Sequence, residues 1–159
     1  AEEIGVYTGK GFYYNWGPNR TADPIIIRND LDTPHVLLVV REDTGQLALP
    51  GGFCDPGETP DVSAAREAQE EALVSLDGIA ASHIYSGPLF DTRATANAWS
   101  HTDAYLFNLP DSIAKNLALS WRGGDEVKEA KFVPVDQTED LVFGSHSLLI
   151  ALALQITKD

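Results

Sequence analysis

The sequence has few cysteines and few basic residues. Its single cysteine, Cys54, excludes an internal disulfide framework and fits a reducing compartment. Lysine and arginine number 11 against 24 aspartates and glutamates, and the formal net charge is -13. This charge repels polyanions and argues against nucleic acid as a partner. A phosphorylated ligand would need metal ions and a few well-placed arginines to bind against such a field.

Long apolar runs, internal repeats and low-complexity segments are also absent. The longest apolar stretch, near residues 147–156, is too short to span a bilayer, and the first five residues lack the pattern of a secretion signal. We therefore expect no membrane partner and a cytoplasmic location, with an organelle or a longer parent chain left open. The length of 159 residues and the hydrophobic content of 43% predict one domain over residues 1–159, expected to be monomeric.

The pattern of apolar residues predicts interspersed strands and helices. A helix is expected from about Pro60 to Leu76, because Thr59 can act as its N-cap and Asp77-Gly78 stops it. A second helix is expected over about 147–156. Strands are expected at 25–27, 36–40, 46–49 as a hairpin partner, 83–90, 99–107 and 130–135. The mixture predicts an α/β domain with helices packed on a mixed sheet.

The segment from Gly52 to Glu71 carries charged residues at a fixed spacing. It reads glycine, five residues, glutamate, seven residues, Arg-Glu, two residues and Glu-Glu. Such a match arises by chance in roughly one of 10^5 sequences. On a helical wheel, Glu67, Glu70 and Glu71 fall within an arc of about 100°. Three carboxylates on one face repel one another unless solvent or cations intervene, and Mg²⁺ is the hard ion that suits them.

A solvated face is the alternative interpretation, because any amphipathic helix places charges opposite its apolar stripe. The apolar stripe predicted to pack on the sheet comprises Val62, Ala65, Ala72, Leu73 and Leu76. The preceding loop favours a cation site over a solvated face. Gly51-Gly52 permits close backbone approach, and the turn at 55–57 returns Glu58 toward the helix. We expect Glu58 and Arg66 to pair and to have a structural role.

This spacing is the Nudix box, and the chain resembles the ADP-ribose pyrophosphatase branch of that family. The branch includes a mitochondrial animal enzyme and the Nudix-like domain of an ADP-ribose-gated cation channel. The similar segments cover most of the chain: 16–19, 22–26, 47–52, 55–58, 70–73, 91–93, 97–99 and 144–147. Leu73 stands where the general pattern has glycine, and the run Glu70-Glu71-Ala72-Leu73 is shared with the branch.

The resemblance implies a Nudix fold, in which a mixed β-sheet is sandwiched between α-helices, and hydrolysis of ADP-ribose to AMP and ribose 5-phosphate. It implies a cation site of Mg²⁺, or alternatively Mn²⁺, at Gly52, Glu67, Glu70 and Glu71. It also implies that Thr21, Asp91, Arg93 and His146 meet the ligand. Arg93 could instead be a surface ion-pair partner and His146 a structural residue. The other residues expected to be structural are His35, His83, His101 and Cys54.

The general base has two candidates in the sequence. It is either a box glutamate, Glu71, or an acid of the loop that follows Gly123-Gly124, where Asp125 and Glu126 lie. An ordinary acidic turn is the competing interpretation of that loop. Two rival functions stay open, a non-catalytic ADP-ribose sensor and a hydrolase of another nucleoside diphosphate sugar. The intact box acids favour an enzyme over a sensor.

Overall fold

Strands dominate the first two thirds of the chain, and a helix closes it. The computed structural model describes residues 17–40, 45–72, 74–89, 98–122, 129–138 and 146–158. The strands within these ranges are β1 (Gly17–Arg28), β2 (His35–Val40), β3 (Leu47–Ala48), β4 (Gly52–Phe53), β5 (Ala81–Leu89), β6 (Ala98–Leu109), β7 (Ser120–Arg122) and β8 (Glu129–Pro134). The helices are α1 (Pro60–Ala72), α2 (Asp111–Ala114) and α3 (His146–Lys158), with a 3-10 turn at Val135–Gln137.

The strands form one sheet in the order β5-β6-β1-β2-β8-β7, with β3 attached to β2 and β4 attached to β1. β1 and β6 run parallel along their whole length, from the pair Gly17 and Ala98 to the pair Arg28 and Leu109. The other pairings are antiparallel. The sheet is therefore mixed, as predicted.

β1 is buried on both faces of the sheet. Ile25, Ile26 and Ile27 have no exposed surface, and successive side chains point to opposite faces. One face packs with α1 and α2, and its core comprises Ala22, Ile26, Leu37, Val39, Ala64, Ala68, Ala72, Val74, Leu76, Phe107, Leu109, Ala114, Ala130 and Phe132. The opposite core comprises Ile25, Ile27, Val36, Leu38, Leu49, Ala104, Leu106, Val133, Leu149, Ile150 and Ala153. Because α3 supplies the last three, helices cover both faces, and the predicted fold is confirmed.

The α1 helix packs on the sheet through small residues. Ala64, Ala68 and Ala72 recur every fourth position and are fully buried. Val62, which the sequence places in the packing stripe, is 52% exposed, so that assignment is wrong. The physical reason is distance: alanines bring the helix axis close to the strands, and the buried stripe then centres on them. Leu76 is buried as expected, and Leu73 lies outside the described residues.

The α1 helix also ends earlier than predicted, at Ala72 rather than at Leu76. The indole N–H of Trp121 donates to the carbonyl oxygen of Ala72 at 3.0 Å, and Val74 N–H donates to the carbonyl of Ala68 at 3.2 Å. These bonds replace the i to i-4 pattern of a continuing helix and satisfy its last carbonyls. Val74 then enters the same core as the helix.

The other predicted elements are present with shifted ends. β3 pairs with β2 as the expected hairpin, and β5, β6, β8 and α3 cover the expected segments. The sequence does not predict β4, β7 or α2, each of which has four residues or fewer. Within the described ranges, none of the helices has the length and apolar character needed to cross a membrane.

The close approach of α1 generates a stability prediction. Ala68→Leu should lower the free energy of unfolding by about 1–3 kcal/mol, because a larger side chain overfills the interface with the sheet. Urea denaturation measures this effect. The matched control is Val62→Leu on the exposed side of the same helix, expected to change stability by less than about 0.5 kcal/mol. Equal stability of both variants would contradict the observed orientation of α1.

Candidate functional site

The glycine that opens the motif lies on the sheet beside β1. Gly52 pairs with Ala22 and Phe53 pairs with Thr21 in an antiparallel register. Cys54 N–H extends this pairing by donating to the carbonyl of Arg20 at 3.0 Å, and its side chain packs against the α1 side of the core, as expected. Thr21, a predicted ligand contact, is therefore next to the strand that carries Gly52.

A turn after β4 directs Glu58 back toward α1. Gly57 has a φ of 82°, a left-handed conformation that favours glycine. The Glu58 carboxylate accepts hydrogen bonds from the backbone N–H of Asp55 at 3.0 Å and from the hydroxyl of Ser63 at 2.6 Å. Ser63 is fully buried on α1. These hydrogen bonds attach the loop to the first turn of α1.

Arg66 then binds Glu58 through two nitrogens. Nε lies 2.8 Å from Glu58 Oε2 and Nη2 lies 3.1 Å from Oε1, so the ion pair expected from the sequence is present. The hydrogen bonds from Arg66, then from Ser63 and from the Asp55 N–H, lower the pKa of Glu58 to about 2. The pKa of Arg66 is raised in turn, chiefly by Glu58.

The remaining nitrogen of the fork, Nη1, binds two predicted metal ligands. It lies 2.9 Å from Glu67 Oε1 and 2.7 Å from Glu70 Oε1. The Glu67 side chain is 11% exposed, whereas that of Glu70 is 58% exposed. Two carboxylates of α1 therefore converge on one positive charge, the guanidinium of Arg66.

The donor set fits a hard divalent cation. Mg²⁺ is commonly bound by one or two carboxylates, with water and substrate phosphates as its other ligands. Among the described side chains, no three acidic, histidine or cysteine groups form a cluster able to hold a metal. The side chain of the third box acid, Glu71, is outside what the structure describes. Glu67 and Glu70 are thus the described carboxylates of the motif that could share a cation with water or phosphate oxygens.

His146 begins α3 and is tied to the segment ahead of Gly51. Its Nδ1 accepts a hydrogen bond from the backbone N–H of Leu49 at 3.1 Å. An accepting Nδ1 leaves the proton of a neutral imidazole on Nε2. This contact gives His146 a structural role on the α3 side of the sheet, and its expected contact with ligand stays a prediction.

The other histidines make the structural contacts expected of them. His35 Nδ1 lies 2.7 Å from the carbonyl of Thr33, and His101 Nε2 lies 3.3 Å from the hydroxyl of Ser86. His83 Nε2 lies 3.0 Å from Asp103 Oδ1.

Four predicted site residues, Asp91, Arg93, Asp125 and Glu126, lie outside the described residues.

Two polar contacts of β1 were missed by sequence reasoning. Arg20 Nη2 lies 3.1 Å from Asp103 Oδ2, and the hydroxyl of Thr102 donates to Asp23 Oδ2 at 2.5 Å. Asp23 and Asp103 are both almost fully buried. Each contact joins β1 to β6, about half the chain away, and no local motif signals it.

Comparison with known proteins shows the family. Residues 18–152 match the family model of the NUDIX domain. A Caenorhabditis elegans protein named as a nudix hydrolase is 36% identical over 154 residues, which cover 91% of this chain and 58% of that protein. The mitochondrial ADP-ribose pyrophosphatase of Rattus norvegicus is 32% identical over 179 residues, covering 92% of this chain and 50% of that enzyme. The chain thus spans little more than half the length of these relatives.

Solved structures agree on the fold. The NUDIX domain of Shewanella oneidensis NrtR, solved with ADP ribose, aligns with a TM-score of 0.70 at 21% identity and covers 89% of both chains. A mutT/nudix family protein from Listeria innocua aligns with a TM-score of 0.67 at 23% identity and covers 89% of this chain and 95% of that one. These likenesses establish the arrangement of the sheet and helices.

The depressed pKa of Glu58 predicts how stability depends on pH. A carboxylate with a folded-state pKa below its unfolded value stabilises the fold above the unfolded pKa and loses that effect as pH falls. The difference in urea midpoint between the wild type and Glu58→Gln should therefore be largest above about pH 5 and shrink as pH falls toward about 2. Asp77→Asn, in an exposed turn away from this ion pair, is the control and should move the urea midpoint less than Glu58→Gln does above about pH 5. A Glu58→Gln difference that does not change with pH would contradict the assigned ion pair.

Proposed function

Because the chain belongs to the Nudix hydrolase family, whose members generally need a divalent metal, we propose that it hydrolyses the diphosphate of ADP-ribose. Water breaks the anhydride P–O–P bond, its oxygen ends on one phosphorus, and the products are AMP and ribose 5-phosphate. The proposal is supported by the 32% identity to the rat ADP-ribose pyrophosphatase over 92% of the chain. The branch-specific segments outside the box point to the same substrate.

The observation that carries the proposal is the convergence of Glu67 and Glu70 on a single positive charge. We assign these two carboxylates, Glu71 and the carbonyl of Gly52 as the groups that hold Mg²⁺, with Mn²⁺ as the alternative. A bound cation supplies a Lewis acid that activates water and neutralises charge on the phosphate oxygens. Glu58 and Arg66 hold the loop against the helix and so keep the opening glycine beside the glutamates.

Substrate recognition is assigned to residues outside the box. Thr21 lies beside β4, and His146 is tied to Leu49 just ahead of Gly51, so both flank the segment that leads into the site. We assign Asp91 and Arg93 to the ligand as well. A guanidinium such as Arg93 binds phosphate oxygens through two parallel hydrogen bonds, which an acidic chain needs in order to hold a diphosphate.

The general base is assigned to an acid outside the cation site. A carboxylate that binds a cation has its lone pairs committed and its basicity lowered, which disfavours Glu71. Asp125 and Glu126 are outside the group of residues assigned to the cation, so we assign the base to one of them. In this proposal one of the two acids takes the proton of the attacking water.

The function is tested with a substrate panel and one matched pair of variants. Purified protein with Mg²⁺ should hydrolyse ADP-ribose with a higher kcat/KM than ADP-glucose, NADH or diadenosine polyphosphates, measured by product chromatography. Glu70→Gln should lower kcat by at least about 10^2-fold, as the loss of a charge-stabilising group does. Glu129→Gln on β8, a glutamate outside the motif, should retain wild-type kcat.

Each result of the panel separates one hypothesis from the others. Tight ADP-ribose binding without turnover would identify a sensor, and preference for another substrate would identify a different Nudix hydrolase. Wild-type turnover in Glu70→Gln would remove that residue from the cation site while leaving the substrate assignment intact.

The loop base makes a separate prediction. Glu126→Gln or Asp125→Asn should lower kcat by about 10^2-fold, because general-base catalysis typically contributes that much, with cation binding unchanged. Steady-state kinetics at saturating Mg²⁺ measure the first quantity and Mn²⁺ titration the second. If both single variants and the double variant keep more than about a tenth of wild-type kcat, the base is a box glutamate.

A further inference from the structure

A buried carboxylate lies directly behind the segment that enters the cation site. Asp23 of β1 is 6% exposed, and its Oδ2 accepts the hydroxyl hydrogen bond of Thr102, which has no exposed surface. Alternation along the strands places both residues on the α3 side of the sheet. Within the described part of the chain, Oδ1 of Asp23 accepts no hydrogen bond. A buried carboxylate with a single donor is costly, and it calls for a physical explanation.

The second oxygen of Asp23 lies against Gly51. A Cβ atom at that position would overlap Asp23 Oδ1 and lie 2.8 Å from the carbonyl oxygen of Ala22, so only glycine fits this contact. Gly51 directly precedes Gly52, which pairs with Ala22. The backbone that enters the motif therefore lies against Ala22 and the Asp23 carboxylate.

The contact between Asp23 and Gly51 lies at the point of β1 where its pairing partner changes. β1 pairs with β2 at Ile27 and Arg28 and with β4 at Thr21 and Ala22. Between the two pairings stands Pro24, which has no N–H for a ladder bond. Asp23 thus lies where the pairing of β1 changes from β2 to β4, and its side chain contacts Gly51 just before β4 begins.

We propose that Asp23, held by Thr102, is a positioning residue that fixes the Gly51-Gly52 segment ahead of the cation site. The proposal rests on the cation site assigned above. Asp23 does not bind the cation. It acts through the backbone, by fixing the position of the Gly52 carbonyl, one of the groups assigned to the cation.

The test measures cation affinity without substrate, so it does not depend on which nucleotide is hydrolysed. Mn²⁺ is titrated into the whole protein and free Mn²⁺ is followed by electron paramagnetic resonance. Thr102→Val and Asp23→Asn should each raise the Mn²⁺ Kd by at least about tenfold, the usual effect of removing a group that orients a ligand. Thr102→Ser, which keeps the hydroxyl, should remain within about twofold of the wild type.

The matched control is Thr138→Val. Thr138 is also buried, and its hydroxyl donates to the carbonyl of Val135 at 2.9 Å in the 3-10 turn. The control should lose stability in urea, as is expected of Thr102→Val, and keep the wild-type Mn²⁺ Kd. Asp23→Asn preserves side-chain volume and keeps the test usable if Thr102→Val does not fold.

Two outcomes are decisive. A Mn²⁺ Kd within about twofold of the wild type in either folded variant, Thr102→Val or Asp23→Asn, overturns the proposal. Glu67→Gln is titrated in parallel. If Glu67→Gln loses affinity while the Asp23 and Thr102 variants do not, the inference fails and the cation site stands. If Glu67→Gln binds Mn²⁺ as the wild type does, the cation site itself is wrong.

Discussion

The arrangement of the acids in this site depends on one guanidinium group. Arg66 contacts Glu58 through Nε and Nη2, and Glu67 and Glu70 through Nη1. Carboxylates on one helical face repel one another, and Arg66 offsets that repulsion while joining the helix to its preceding loop. Under the proposed function, a cation bound by Glu67 and Glu70 would leave Nε and Nη2 of Arg66 on Glu58, and the loop would stay attached to the helix.

Local sequence signals account for most of the fold. Alternating apolar residues and continuous apolar runs predict the strands, and Thr59-Pro60 predicts the start of α1. These signals are readable because they depend on residues that are neighbours in sequence. The end of α1 is different, since it is set by a hydrogen bond from Trp121, 49 residues away. One residue of the predicted packing face of α1, Val62, is wrong for a related reason. A hydrophobicity wheel selects Val62, whereas close approach to the sheet selects alanine.

The same distinction divides the site. The pair of Glu58 and Arg66 can be predicted because a turn and two helical turns separate the partners in one motif. The contact of Asp23 with Thr102 spans 79 residues, and it exists because β1 and β6 lie parallel in a register that no local pattern encodes. The groups proposed to bind the cation can therefore be predicted from the sequence, whereas the contact of Asp23 with Thr102 becomes visible only in the folded sheet.

The described arginines are paired with acids, and this pairing explains why the proposed function depends on a divalent cation and on Arg93. The formal net charge is -13, and the arginines whose side chains the structure describes are each paired with acids: Arg20 with Asp103, Arg28 with Asp30, and Arg66 with the box glutamates. Paired guanidiniums have little positive potential left for a diphosphate. Under the proposed function, the divalent cation and Arg93 supply that charge. The acidic surface then favours cation capture at the glutamates, and the bound cation makes the approach of an anionic substrate possible.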